Sequence, residues 1–195
     1  MTILGELGRR IREDTEREIQ RLSVPRSLAV PEPDDDHVSP ESMEPGGRER
    51  AVDTTIPAVD GGNPNIPTGM PVEGIITSGF GMRMHPIEHR MKPHGGIDIA
   101  APLGTAVRAT AAGRVTRAEM AGKSGNLVEI DHGRQYATRY AHLNEILVSQ
   151  GEEVARGDVI GTVGNTGAST GPHLHYCVVV GNRLQDPRLF MEAQA

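Results

Sequence analysis

Apolar and polar positions follow two different rhythms along this chain. Near the start, Leu4, Leu7, Ile11, Ile19 and Leu22 recur at three- and four-residue steps, with Thr15 filling the gap and Arg or Glu between them. This spacing predicts one amphipathic helix over residues 1–24, ended by Pro25. The stripe is narrow and a lone helix of this size is marginal in water, so it reads as a docking element for another protein or a second copy. Residues 25–70 show no sustained period and carry eight prolines, the acidic run Asp34, Asp35 and Asp36, and a Gly-Asn-Pro-rich stretch. They read as an extended linker.

From Pro71 onward the rhythm changes to short runs of Val, Ile and Thr, cut every eight to twelve residues by Gly or Asp. Such texture predicts an all-β domain over residues 71–195 built from short antiparallel strands. Gly113 to Val115, Leu127 to Ile130 and Asp158 to Ile160 are candidate strands, and Gly157, Gly161, Gly164 and Gly167 are placed as turn residues. The one helical feature expected in this region is a turn near residues 143–147.

Composition sharpens this division. The first 70 residues hold 8 Lys or Arg against 14 Asp or Glu, and the remaining 125 hold 12 against 12, so the net charge of -6 belongs to the N-terminal third. All five aromatic residues and seven of the eight histidines follow residue 70, where a core and a site can be built. A neutral domain with an acidic arm lacks the basic footprint of a nucleic-acid binder. No apolar run reaches the roughly 18 residues of a membrane span, and charges from Glu6 onward interrupt any apolar stretch of a classical signal peptide. Cys177 is the single cysteine, which excludes an intrachain disulfide.

The densest chemistry is Gly171-Pro-His173-Leu-His175-Tyr-Cys177. In a strand, His173, His175 and Cys177 face one side while Leu174, Tyr176 and Val178 face the other. Alone, such a pair of histidines is more often a polar strand face than a metal site. His94-Gly-Gly-Ile-Asp98 changes that balance by offering an imidazole and a carboxylate, both of which zinc accepts. In a straight strand the two would stand roughly 13 Å apart, but Gly95 and Gly96 permit a bend. Ile97 and Ile99 around Asp98 then read as the core face of a strand whose carboxylate points away. One His and one Asp from the first segment with one His from the second make three ligands, leaving a fourth position for water and hence for hydrolysis. His142, within Tyr140-Ala-His142-Leu143, has no local context that assigns it a role.

Taken in order, Phe80-Gly-Met-Arg83, His85-Pro86, His94-Gly-Gly-Ile-Asp98-Ile-Ala-Ala-Pro102, Gly104-Thr105, Tyr140-Ala-His142-Leu143 and Gly167-Ala-Ser-Thr-Gly171-Pro-His173-Leu-His175 resemble the lysostaphin-type zinc endopeptidases, which cut peptide cross-links of bacterial cell walls. The resemblance runs from about Thr77 to Val180 and covers none of the first 70 residues. It implies a β-sandwich-like fold of two packed antiparallel sheets, one zinc ion on His94, Asp98 and His175, and a catalytic pair in His142 and His173, whose roles the sequence does not divide. Peptidoglycan is the implied substrate. Glu commonly stands in the family where this chain has Cys177, which reads here as a small buried residue, with an outer-shell role as the alternative. The segment from Met84 to Pro93 is expected to be a loop at the edge of the groove. His85 and His89 are not expected to bind metal, and His132 is placed in a hairpin turn as a structural residue.

An acidic linker joining a docking helix to a wall-cutting domain suits an enzyme carried by an assembly, such as a bacteriophage tail, and acting in the bacterial periplasm or cell wall. The competing reading from another class is a non-catalytic wall-binding module on the same fold. A phosphohistidine carrier is a third, opposed by the carboxylate of Asp98.

Overall fold

The computed structural model describes residues 64–84 and 89–191, and the β-rich texture there folds as twelve strands. They are β1 (Ile75–Ser78), β2 (Gly81–Met84), β3 (Met91–His94), β4 (Ile97–Ala100), β5 (Ala106–Arg108), β6 (Gly113–Met120), β7 (Asn126–Gly133), β8 (Tyr136–Ile146), β9 (Glu153–Val154), β10 (Val159–Val163), β11 (His173–Val180) and β12 (Arg183–Gln185). Helix among the described residues is confined to a 3-10 turn, Gly122–Ser124, and one turn of α-helix, Arg188–Met191. None of it is long and apolar enough to cross a membrane. The expected helix over residues 1–24 and most of the expected linker lie outside the described residues.

Every strand pair is antiparallel. Ten strands form one hydrogen-bonded network, in which β1, β4, β11, β8, β7, β6 and β9 lie side by side, β12 extends β11, and β10 joins β8 to β5. Strands β2 and β3 form a separate ribbon. The predicted alternation on the two central strands holds: Ile97 and Ile99 of β4 and Leu174, Tyr176 and Val178 of β11 enter the core. Asp98, His173, His175 and Cys177 take the other face. Aliphatic side chains dominate the core, and its two innermost tyrosines keep their hydroxyls satisfied. Tyr140 Oη accepts from the Thr110 amide at 3.0 Å, and Tyr176 Oη bonds Thr110 Oγ1 at 2.9 Å.

Strand β8 is where the network forks. Its first half pairs with β11 up to Ala141 opposite His175, and its second half pairs with β10 from Leu143 opposite Val163. Against β7, the pairs Val128 with Tyr140 and Asn126 with Leu143 enclose one more residue on β8 than on β7. This is a β-bulge, and His142 within it adopts φ 61°. Tyr140 and Leu143 can therefore both enter the core although three positions separate them.

Several sequence expectations change here. Residues 143–146 continue β8 and make no helical turn, because Leu143 is a core residue held between β7 and β10. Gly157 and Gly167 do turn the chain at positive φ, but Gly161 and Gly164 serve close packing. A Cβ on Gly164 would lie 2.2 Å from the Asn144 amide nitrogen. His132 belongs to β7, and the hairpin turn falls on Arg134 and Gln135, both at positive φ as a two-residue type I′ turn requires. Residues 64–70, read as linker from composition, include Ile66 in the core, and the Thr68 amide bonds the Thr110 carbonyl at 3.1 Å. The packed domain thus extends upstream of residue 71.

Candidate active site

Two neighbouring strands and one sharp link assemble the first cluster. Asp98 on β4 and His175 on β11 are direct cross-strand partners, which places their side chains side by side on one face. His94 ends β3, and Gly95 and Gly96 turn the chain into β4. Gly96 passes so close to β11 that a Cβ there would lie 2.3 Å from the Tyr176 carbonyl oxygen. The link shortens the gap that a straight strand would impose: His94 Nε2 lies 3.2 Å from Asp98 Oδ1. His175 Nδ1 lies 2.9 Å from the same oxygen and 3.1 Å from His94 Nε2. All three residues are buried.

The proton inventory decides what this triangle is for. His94 Nδ1 is 2.7 Å from the Gly79 carbonyl, which can only accept, so Nδ1 carries the proton and Nε2 presents a lone pair. His175 Nε2 is 3.1 Å from Cys177 Sγ. When that nitrogen carries the proton, Nδ1 is a second lone pair aimed at the same point. The third donor atom is the Asp98 carboxylate. Burial opposes its ionisation, but whenever the facing nitrogens of His175 and His94 carry protons, their hydrogen bonds and attraction outweigh burial and hold its carboxyl well below the usual carboxylate range. Three converging electron-pair donors repel one another unless a cation lies between them. A tetrahedral ion about 2.0–2.2 Å from each ligand separates ligand atoms by roughly 3.3–3.6 Å, close to the spacing found here. The residues therefore fit a single divalent ion of the zinc type.

The second cluster is the pair His142 and His173, with ring centroids 4.8 Å apart. The bulge in β8 turns His142 out of the core, where regular alternation would have placed it. Its Nδ1 is 2.8 Å from the Thr166 carbonyl. His173 Nδ1 is 2.8 Å from the Gly171 carbonyl and 3.1 Å from Ser169 Oγ. Both Nδ1 atoms are thus protonated, and both rings keep Nε2 as the basic nitrogen. His173 Nε2 points toward the first cluster, 3.8 Å from Asp98 Oδ1. An open groove of about 430 Å³ runs over both histidines and Asp98, with Ser78 and Arg83 on one side and Ser169 on the other.

Of the five residues singled out in the sequence, Asp98, His142 and His173 line this groove, and the buried His94 and His175 both contact Asp98. His89 is exposed and joins no metal-capable cluster among the described residues; His85 lies outside them. Met84 and Pro93 belong to the β2–β3 ribbon, where a loop was expected. Cys177 is buried, as read, and also contacts the ligand His175 through its outer nitrogen, which was the less favoured alternative. Sequence reasoning gave no role to Arg83, whose Nη2 forms an ion pair with Asp98 Oδ2 at 3.2 Å. Its place in Phe80-Gly-Met-Arg83 was the available signal. The carbonyls of Gly79, Thr166 and Gly171 left no trace in side-chain identity.

With this geometry in hand, comparison with known proteins is informative. The family model described as Peptidase family M23 matches residues 92–187. The peptidoglycan DD-endopeptidase ShyA of Vibrio cholerae is 48% identical over 109 residues, 55% of this chain and 25% of that protein. The DD-carboxypeptidase/endopeptidase Mpg of Neisseria meningitidis is 54% identical over 101 residues, 52% of this chain and 23% of that protein. This chain thus spans about a quarter of the length of these relatives. Among solved structures, the catalytic domain of lysostaphin from Staphylococcus simulans superposes with a TM-score of 0.55 at 30% identity, over 60% of this chain and 91% of that one. A zinc-containing peptidase from Vibrio cholerae gives a TM-score of 0.56 at 43% identity, over 63% and 38% of the two chains.

Proposed function

The chain belongs to peptidase family M23, and from that premise we propose that it is a zinc-dependent endopeptidase that hydrolyses peptide cross-links of bacterial peptidoglycan. The observation that carries the reading is the convergence of three buried donor atoms beside two histidines whose Nδ1 atoms are held by main-chain carbonyls. His94, Asp98 and His175 hold the ion. Zinc there supplies Lewis acidity, polarising a carbonyl and making water a nucleophile near neutral pH.

The chain's own groups do the rest. The carbonyls of Thr166 and Gly171 pin His142 and His173 in the tautomer that accepts at Nε2. One of these nitrogens takes the proton from the attacking water, and the resulting imidazolium stabilises negative charge on the carbonyl oxygen or returns the proton to the departing amine. Ser169 Oγ donates to the Gly171 carbonyl at 2.9 Å and accepts from His173, which steadies that ring. An open groove suits an extended peptide within a network. The non-catalytic alternative loses its footing because no ligand is missing.

Purified protein loaded with zinc should release new amino groups from isolated sacculi, a chelator should abolish the release, and zinc should restore it. Intact sacculi after incubation with fully loaded protein would overturn the reading. For delivery, the amphipathic stripe of residues 1–24 and the acidic Pro-rich tract support carriage by an assembly such as a bacteriophage tail, with action in the periplasm or cell wall. A peptide of residues 1–24 should then retain a component of that particle.

A further inference from the structure

Arg83 occupies a position that anchoring Asp98 does not fully explain. Asp98 divides its two oxygens: Oδ1 faces His94, His173 and His175, and Oδ2 meets Arg83 Nη2. The contact is single, at 3.2 Å, whereas an arginine recruited only to hold a carboxylate favours the bidentate fork. Arginine carries five N–H donors. The Arg83 side chain keeps 24% of its surface exposed and lines the groove. Among the described residues lining that groove, Arg83 is the only permanent cation and Asp98 the only carboxylate. The remaining donor edge of a fixed guanidinium is thus offered to whatever enters, one carboxylate's width from the metal-binding oxygen.

We propose that Arg83 binds a free α-carboxylate on the residue that contributes the nitrogen of the scissile amide. In such a substrate the carboxylate carbon lies three bonds from the carbonyl under attack, roughly 3–4 Å away by backbone dimensions. A group bound beside the metal site is therefore within reach of Arg83 across the width of Asp98. The inference rests on the peptidoglycan endopeptidase reading and narrows it. The favoured cross-link is one formed through the amine of a diamino dicarboxylic acid, which leaves that residue's adjoining carboxylate free. Bridges of glycine, in which the adjoining carboxyl is itself consumed in an amide, are disfavoured. Specificity of this kind follows from a charge-assisted hydrogen bond that one substrate makes and the other lacks.

The test uses the full chain loaded with zinc and two synthetic peptides that differ in one group, a free α-carboxylate or a carboxamide on the residue after the scissile amide. Wild type should favour the acid by about 10- to 100-fold in kcat/KM, the range of one charged hydrogen bond. Arg83→Gln should erase that preference, mainly through a raised KM for the acid, so that the acid peptide loses at least about 10-fold more kcat/KM than the carboxamide peptide. Zinc affinity, read by competition with a chromophoric chelator, should fall about 10-fold with the loss of an outer partner of Asp98, so both peptides are compared at saturating zinc. Arg83→Lys should recover part of the preference. Equal loss on both peptides at saturating zinc would overturn the proposal and reduce Arg83 to a brace for Asp98. Equal cleavage of both peptides by wild type would overturn it too. If wild type cuts neither peptide nor sacculi, the endopeptidase reading fails. Calorimetric binding of the two peptides to the zinc-loaded protein then decides for Arg83: tighter binding of the acid, lost in Arg83→Gln, supports carboxylate recognition, and equal binding refutes it.

Discussion

The two histidine clusters adjoin at one groove, yet their geometry is enforced in different measure by side chains and main chain. His94, Asp98 and His175 are positioned chiefly by side chains and strand register: a cross-strand pair, a glycine link, and one carboxylate oxygen shared by two imidazoles, with a single main-chain acceptor, the Gly79 carbonyl, on His94. His142 and His173 are positioned by the main chain, since each is fixed through a carbonyl acceptor, one after a β-bulge and the other at the start of β11. His94 and His175 are 1% and 6% exposed at their side chains, and His142 is likewise buried, whereas His173 is 17% exposed beside the groove. Cation binding demands buried, convergent lone pairs. Proton transfer demands a basic nitrogen within reach of substrate, and the more open of the pair is His173.

The strongest way to break this contrast is to remove one member from each cluster. His175→Ala should abolish zinc retention and activity together, as read by metal content after dialysis and by amino-group release. His142→Ala or His173→Ala should retain zinc within a few-fold while turnover falls about 10²- to 10⁴-fold, the usual contribution of a positioned acid or base. Comparable zinc loss in all three variants would erase the distinction.

His132 sharpens the comparison from outside the groove, as a buried histidine with both nitrogens bonded, to the Ala112 carbonyl and Thr138 Oγ1. Desolvation lowers its pKa from 6.5 to about 4, against the raising effect of the Ala112 bond. The unfolded chain therefore binds a proton in a range where the folded one does not. Its contribution to stability is complete above about pH 6.5 and is lost as pH falls towards 4, to a total of about 3 kcal/mol. Urea unfolding in the presence of chelator should accordingly show a steeper acid decline for wild type than for His132→Gln. Parallel declines would show that His132 is protonated in the folded state.

A smaller effect is expected at Cys177. Removing the acceptor for His175 Nε2 in Cys177→Ala should weaken zinc binding about 10-fold, at the low end for an outer partner of a ligand. Cys177→Ser should lose less, because its oxygen still accepts. Unchanged affinity in both variants would make Cys177 a packing residue only.

How much of this was written in the sequence follows from how local each determinant is. Alternation on β4 and β11 depends on adjacent side chains alone, so the facing of Ile97, Asp98, Ile99 and the residues of His173 to Val178 could be read directly. Gly95 and Gly96 announced the bend that brings His94 to Asp98. His142 could be nominated by resemblance but not oriented, because regular alternation would send it to the core. Residues 64–70 read as linker because a proline-rich segment has no periodicity of its own, and Ile66 gains its burial from distant strands.

By itself, the sequence determined the strand-rich class and the polar faces of the two central strands, since these are properties of residue type and spacing, and it nominated three groups to bind a cation, with the pair His142 and His173 added by resemblance. The tertiary structure alone decided the fork at β8, the turning of His142 into the groove, the carbonyls that fix each tautomer, and the meeting of Arg83 with Asp98. Main-chain acceptors and bulges carry no side-chain signature, and contacts across tens of residues exist only after the sheet has closed around its core.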